Sequence, residues 1–174
     1  ALYLLSLLMR KLMFPKELLE KSESLLELCR KAGLRLVTAE SFTGGLVAGC
    51  LTEIPDSSDV MERGFVTYSN EAKLSDLGVD ENLIATHGAV SAHVARAMAE
   101  GALERSPAEL SVAVTGIAGP GGATPGKPVG LAYIATTRRG GETVAERHQF
   151  SGDRAAIRQA AVESALDLLL RQVE

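Results

Sequence analysis

The first residues able to do chemistry are Ser41 and Thr43, in the run Ala39-Glu40-Ser41-Phe42-Thr43-Gly44-Gly45. An apolar segment at 34–37 reads as a buried strand, and a helical pattern starts near Leu46. A strand that turns sharply into a helix leaves backbone N–H groups unpaired, and the helix dipole adds partial positive charge there. Such a turn suits a phosphate, a carboxylate or the oxyanion of an acyl-transfer intermediate. Spacing alone allows two roles for the hydroxyls, helix capping or reaction. Gly44 and Gly45 let a ligand approach the backbone closely. No G-x-S-x-G elbow is present, so an α/β-hydrolase reading fails.

A second group is Thr67-Tyr68-Ser69-Asn70-Glu71-Ala72-Lys73. Tyr68 ends an expected strand, and Lys73 lies in the first turn of an expected helix capped by Asn70. A cation there opposes the helix dipole. In a capping box its place would be taken by Glu or Gln. Lys73 is therefore either solvated or turned into a pocket, where burial and the dipole would lower its pKa. A neutral lysine can deprotonate a serine, with Tyr68 relaying or orienting the proton.

Two further clusters look like ligand-binding segments. Thr115, Gly116, Gly119, Gly121 and Gly122 begin a glycine-rich loop directly after a buried strand, a place where backbone meets ligand. Residues 121–127 match the start of a phosphate-binding G-x-x-x-x-G-K loop. Pro128 stands where the magnesium-holding Ser or Thr belongs, and a strand follows where a helix is needed, so an ATPase is excluded. Lys127 is left as either an exposed loop lysine or a phosphate contact. Arg154 and Arg158 are four apart near a helix start, where like charges repel and the dipole disfavours both. Solvation, pairing with Asp153 or a bound phosphate would each relieve that.

His87, His93 and His148 lack metal-ligand spacing and read as structural, with His87 beside Gly88 also able to line a cleft. No carboxylate pair stands out, and Glu40 reads as a cap, a salt-bridge partner or a support for Ser41. Cys29 and Cys50 belong to helical apolar patterns and read as buried free thiols, with the cytoplasm as the default compartment.

The elements that position these groups follow from periodicity. Helices are expected at 15–31, 43–53, 70–77, 91–105 and from Asp153 onward, with a short turn at 81–86. Strands are expected at 34–39, 60–68, 110–114, 129–137 and 143–150, the last two joined at Gly140-Gly141. Strands alternating with helices, then a hairpin, imply an α/β sandwich with a mixed, mostly parallel sheet. Residues 1–14 read as an N-terminal helical extension and 15–174 as one domain. The 174 residues are 46% hydrophobic and 4% aromatic with a net charge of -4, which argues against disorder and against broad nucleic-acid binding. No stretch is long enough to span a bilayer. The apolar first helix and the small residues at 95–102 make a homo-oligomer plausible.

Four separated segments, 39–45, 66–73, 115–120 and 127–130, closely resemble the CinA C-terminal domain family from about Pro15 to the C-terminus. Its enzymatic members are nicotinamide-nucleotide amidases, also called NMN deamidases. The resemblance implies a three-layer α/β/α sandwich with a mixed sheet, and hydrolysis of nicotinamide mononucleotide to nicotinic acid mononucleotide and ammonia, without metal or cofactor. It also implies a catalytic serine, tyrosine and lysine, which fall on Ser41, Tyr68 and Lys73. Substrate contacts are expected from Thr43, Gly44, Gly45, the 115–122 loop, Lys127, Arg154 and Arg158. Position 42, often Cys in the family, is Phe42 here, which changes a pocket wall. Many members carry a further N-terminal domain resembling molybdopterin-binding proteins, without a counterpart in these residues. The rival expectation is a non-catalytic nucleotide-binding or regulatory module of a competence or DNA-damage response. A third is an amidase for another carboxamide.

Overall fold

The computed structural model describes residues 13–174. Of the expected N-terminal extension only Met13 and Phe14 fall within this range. Helix α1 (Lys16–Ala32) starts after Pro15 and ends at Gly33, whose φ of 67° continues the chain in a left-handed turn. Strand β1 (Leu36–Glu40) leads through a tight turn into α2 (Leu46–Thr52). A short 3-10 turn (Ser57–Asp59) precedes β2 (Met61–Val66). Three helices follow, α3 (Asn70–Leu77), α4 (Glu81–His87) and α5 (Ala92–Glu104). Strands β3 (Leu110–Gly116), β4 (Leu131–Arg138) and β5 (Val144–Gln149) then lead to α6 (Arg154–Val173).

The five strands form one sheet in the order β2-β1-β3-β4-β5. β1 pairs in parallel with β2 and β3, whereas β4 runs antiparallel to both β3 and β5. The sheet is mixed as expected, with β4 alone running against the other four strands. β4 is reversed because β3, β4 and β5 follow one another with no helix between them to carry the chain back across the sheet.

Alternation along the strands divides the core in two. Leu36, Leu110, Val112, Val114, Ala132 and Ile134 pack with α1, α2 and α6. Val37, Ala39, Ala113 and Ala135 face the other way, toward α3, α4 and α5. Period-two side chains on buried strands make the three layers. The chain steps from β1 outward to β2 through α2, then returns to the far side of β1 through α3–α5. The carboxyl ends of β1 and β3 therefore open between connections that leave in opposite directions, the position where open α/β sheets form a ligand crevice.

Several element boundaries differ from the sequence reading by a few residues; β2 ends at Val66, short of Tyr68, and two other differences bear on the site. Helix α2 begins at Leu46 rather than Thr43, because Gly44 and Gly45 both take positive φ, 60° and 97°. Helix α3 is capped by Ser69, whose hydroxyl accepts from the Ala72 N–H at 3.0 Å, rather than by Asn70. That moves Lys73 one position further into the helix. Among the described residues, no helix is long and apolar enough to cross a membrane.

Candidate active site

Ser41 is the first residue after β1. Its N–H donates to the Val114 carbonyl of β3, and the Thr67 N–H donates to the Glu40 carbonyl, so the serine is seated between the ends of both neighbouring strands. The hydroxyl caps no helix. It stands 3.1 Å from the Lys73 Nζ, contributed by a helix 32 residues further along the chain.

Lys73 is 1% exposed. Besides Ser41, its Nζ donates to the carbonyls of Thr67 (2.9 Å), Ser69 (3.3 Å) and Tyr68 (3.4 Å). These dipoles help hold an ammonium, but loss of water dominates. Burial pushes the Lys73 pKa down from 10.5 to about 8, with the Glu71 carboxylate pulling weakly the other way. About a tenth of the side chains is then neutral at pH 7, a few hundred times the fraction of an ordinary lysine. A neutral amine beside a serine hydroxyl is a general base in place.

The turn behind Ser41 is held by a second buried charge. Glu40 is fully buried, and its carboxylate accepts from the N–H groups of Val47 (2.9 Å) and Ala48 (3.0 Å) at the start of α2. It also accepts from the Thr43 hydroxyl at 2.7 Å and, more distantly, from Thr38 at 3.4 Å. A carboxylate at a helix start satisfies free amides and the dipole together. The capping role expected of Ser41 or Thr43 thus falls to Glu40. The Gly44 N–H is also taken, by the Ser41 carbonyl. The amides of Phe42 and Thr43 have no partner among the described residues and directly follow the serine.

Ser41, Tyr68, Lys73, Thr115, Gly116, Gly119, Gly121, Gly122 and Arg154 all line one cleft of about 540 Å³. Phe42, Asn70, Ala89, Val90, Ile117 and Ala118 complete its wall. Phe42 packs against Gly116, where a Cβ would come within 2.6 Å of the ring. Of these, Ala89, Val90 and Ile117 carry no chemical signal in the sequence, because only the return of the chain past β3 brings them here.

Thr43, Gly44, Gly45, Lys127 and Arg158 do not line the cleft. Arg158 donates to the carbonyls of Phe42 (3.0 Å) and Thr43 (3.1 Å), bracing the serine turn from behind. Lys127 donates to the His87 carbonyl (2.6 Å) at the end of α4, which ties the glycine loop to the opposite wall. Thr115 does likewise from β3, donating to the Ala89 carbonyl at 2.9 Å. Arg154 donates to the Gly119 carbonyl (2.9 Å) and the Tyr68 hydroxyl (3.0 Å). Protein oxygen atoms thus meet both members of the like-charge pair at the start of α6. The Tyr68 hydroxyl meets Arg154, and no hydrogen bond joins it to Ser41 or Lys73. The rings of His87 and His93 stack at 3.6 Å. Among the described residues no group of three or more metal-capable side chains occurs. Cys29 and Cys50 are free and buried, as expected.

Residues 19–173 match the family described as the CinA C-terminal domain. The chain is 46% identical over 160 residues to the nicotinamide-nucleotide amidohydrolase PncC of Escherichia coli K12, covering 92% of this chain and 97% of that protein. It is 53% identical over 137 residues to a CinA-like protein of Akkermansia muciniphila, covering 79% of this chain but 33% of that one. Against a CinA-like protein of Citrifermentans bemidjiense it is 49% identical over 159 residues, 91% of this chain and 38% of that one. The chain thus spans about a third of the length of several curated relatives. The crystal structure of the competence/damage inducible protein CihA from Agrobacterium tumefaciens superposes with a TM-score of 0.91 at 47% identity, over 93% of this chain and 99% of that one. With the match running through all five strands and both sides of the cleft, the chain belongs to the CinA C-terminal domain family.

Proposed function

We propose that the chain is a nicotinamide-nucleotide amidase that converts nicotinamide mononucleotide and water to nicotinic acid mononucleotide and ammonia. The observation that carries this reading is the Lys73 Nζ, buried and 3.1 Å from the Ser41 Oγ in a cleft at the carboxyl ends of the strands. Support also comes from the 46% identity to a whole protein named for this activity.

In this mechanism neutral Lys73 takes the proton as the Ser41 Oγ attacks the carboxamide carbon. The Phe42 and Thr43 amides stabilise the oxyanion. Protonated Lys73 gives its proton to the amide nitrogen, ammonia leaves, and an ester to Ser41 remains. A water molecule, deprotonated by Lys73, attacks the ester. The carboxylate is released and the proton returns to the Ser41 Oγ. Arg154 and the amides of the 115–122 loop take the ribose phosphate, since Arg154 is the arginine that lines the cleft. Gly44, Gly45, Lys127, Arg158 and the Thr43 side chain shape the site without touching substrate. The nucleotide is a small-molecule partner, and the reading requires neither metal nor nucleic acid.

Ammonia release from nicotinamide mononucleotide by the purified protein tests this. The reading expects release that depends on the 5′-phosphate and falls at least about 10³-fold in Ser41→Ala, which still binds the nucleotide. Turnover by Ser41→Ala at the parent rate refutes the serine mechanism. Absence of ammonia from the parent protein, with nucleotide still bound, favours the binding-module alternative.

A further inference from the structure

The substrate in the reading above carries a positive charge on its pyridine ring, next to the carboxamide. The cleft has no obvious place for it. Its lining includes two cations, Lys73 and Arg154, and no aspartate or glutamate. The carboxylate that acts on Lys73, Glu71, lines an adjoining hollow that meets the cleft at Asn70. A cationic ring entering between two basic side chains needs a neutral group with negative potential. Aromatic faces supply that.

The chain is poor in such faces, with four phenylalanines, three tyrosines and no tryptophan. Two of them, Phe42 and Tyr68, line this cleft. Phe42 is only 4% exposed and serves the core. Tyr68 is 59% exposed, among the most open large apolar side chains of the described residues. Its main chain is fixed near Lys73 through its carbonyl, and its hydroxyl is fixed by Arg154, which is itself bonded to Gly119. The ring is thus held at both ends with its surface uncovered. Arg154, proposed to hold the phosphate, lies one hydrogen bond beyond the ring.

We infer that the Tyr68 ring is a specificity-determining platform that receives the planar pyridinium of the substrate, selecting a charged N-substituted pyridine carboxamide over a neutral one. This deepens the amidase reading and rests on it. It also assigns Tyr68 to binding rather than to a proton relay. The hydroxyl orients the ring and Arg154, and the π face carries the selectivity.

Binding of nicotinamide mononucleotide and of its reduced form, which keeps the carboxamide and phosphate but has an uncharged ring, is measured calorimetrically in a Ser41→Ala background. Relative to Tyr68→Phe, which also lacks the hydroxyl, Tyr68→Leu weakens the charged nucleotide about 3- to 30-fold and the reduced one less than about 2-fold. Tyr68→Phe keeps the preference for the charged nucleotide. Because the chain has no tryptophan, tyrosine emission is directly visible, and the charged nucleotide quenches it in the parent but not in Tyr68→Leu. An equal loss for both nucleotides, or no loss for either, overturns the platform while leaving the amidase reading intact. So does a preference that disappears in Glu71→Gln instead, or a Tyr68→Leu protein whose oligomeric state differs from the parent's. Failure of the parent to bind either nucleotide overturns the amidase reading and the platform together.

Discussion

Replacing Lys73 by methionine separates the cost of burying the base from its use. Burial takes its pKa from 10.5 to about 8, which corresponds to about 3 kcal/mol at roughly 1.4 kcal/mol per unit. Below pH 8 the amine is protonated in both folded and unfolded chains, so the folded protein bears the whole penalty. Between pH 8 and 10.5 the folded lysine is neutral while the unfolded one still holds its proton. The unfolded chain then binds more protons, and stability rises with pH. Above 10.5 both forms are neutral and the penalty is gone. Urea unfolding of the parent and of Lys73→Met from pH 7 to 10 measures this. Tyrosines and cysteines titrate in both proteins and cancel in the difference. So does the constant cost of stranding the Thr67, Tyr68 and Ser69 carbonyls. The parent should gain about 2–3 kcal/mol on the variant over that range. The same titration should appear in kcat/KM of the parent, rising about tenfold per pH unit below 8 and levelling above it. Parallel stability curves, with a flat rate profile, would show that Lys73 titrates as an ordinary lysine and is not the base.

The supports of the site make three further expectations. Glu40→Ala strands the Val47 and Ala48 amides and the Thr43 hydroxyl, at about 1–3 kcal/mol for each group left dry. Denaturant titration should show the loss, and Glu40→Gln, which keeps an acceptor, should recover part of it. Gly116→Ala places a methyl 2.6 Å from the Phe42 ring and 2.9 Å from the Leu131 carbonyl. A thermal melt should register about 1–3 kcal/mol of overpacking, with lower activity as the ring moves into the cleft. Lys127→Met cuts the tie to the His87 carbonyl. Steady-state kinetics should show KM raised several-fold with kcat nearly unchanged, because the loosened walls bind substrate and do not react with it.

The arrangement has a cost and a use in one residue. A lysine with three carbonyls and a serine around it is an expensive way to fill space at neutral pH. A methionine or leucine would stabilise the same volume more cheaply. The charge is tolerated because the Ser41 hydroxyl and the Thr67, Tyr68 and Ser69 carbonyls accept from the ammonium. Strain of this kind is common where a group must change protonation state in use.

Much of the fold was legible from local chemistry. Gly33 ends a helix, Asp153 caps one through the Ala156 N–H, and Gly140-Gly141 turns a hairpin. Each signal lies within a few residues of the structure it dictates, and hydrophobic periodicity extends that reach by a turn or two. The awkward position of Lys73 against a helix dipole was legible for the same reason, and so was the strand-to-helix turn at Ser41. The sequence could not say that these two side chains meet. They lie 32 residues apart, and they meet because β2 pairs beside β1 and α3 packs back over their ends. Nor could it rank the basic residues. Arg154 and Arg158 are alike in sequence, yet one lines the cleft and the other grips the carbonyls of Phe42 and Thr43. The hydroxyl of Thr43 points to Glu40 because that carboxylate reaches forward to the start of α2, a contact set by two positive-φ glycines. Local propensity acts over a turn of chain, whereas a site is built where distant turns converge, and only the strand order determines which ones do.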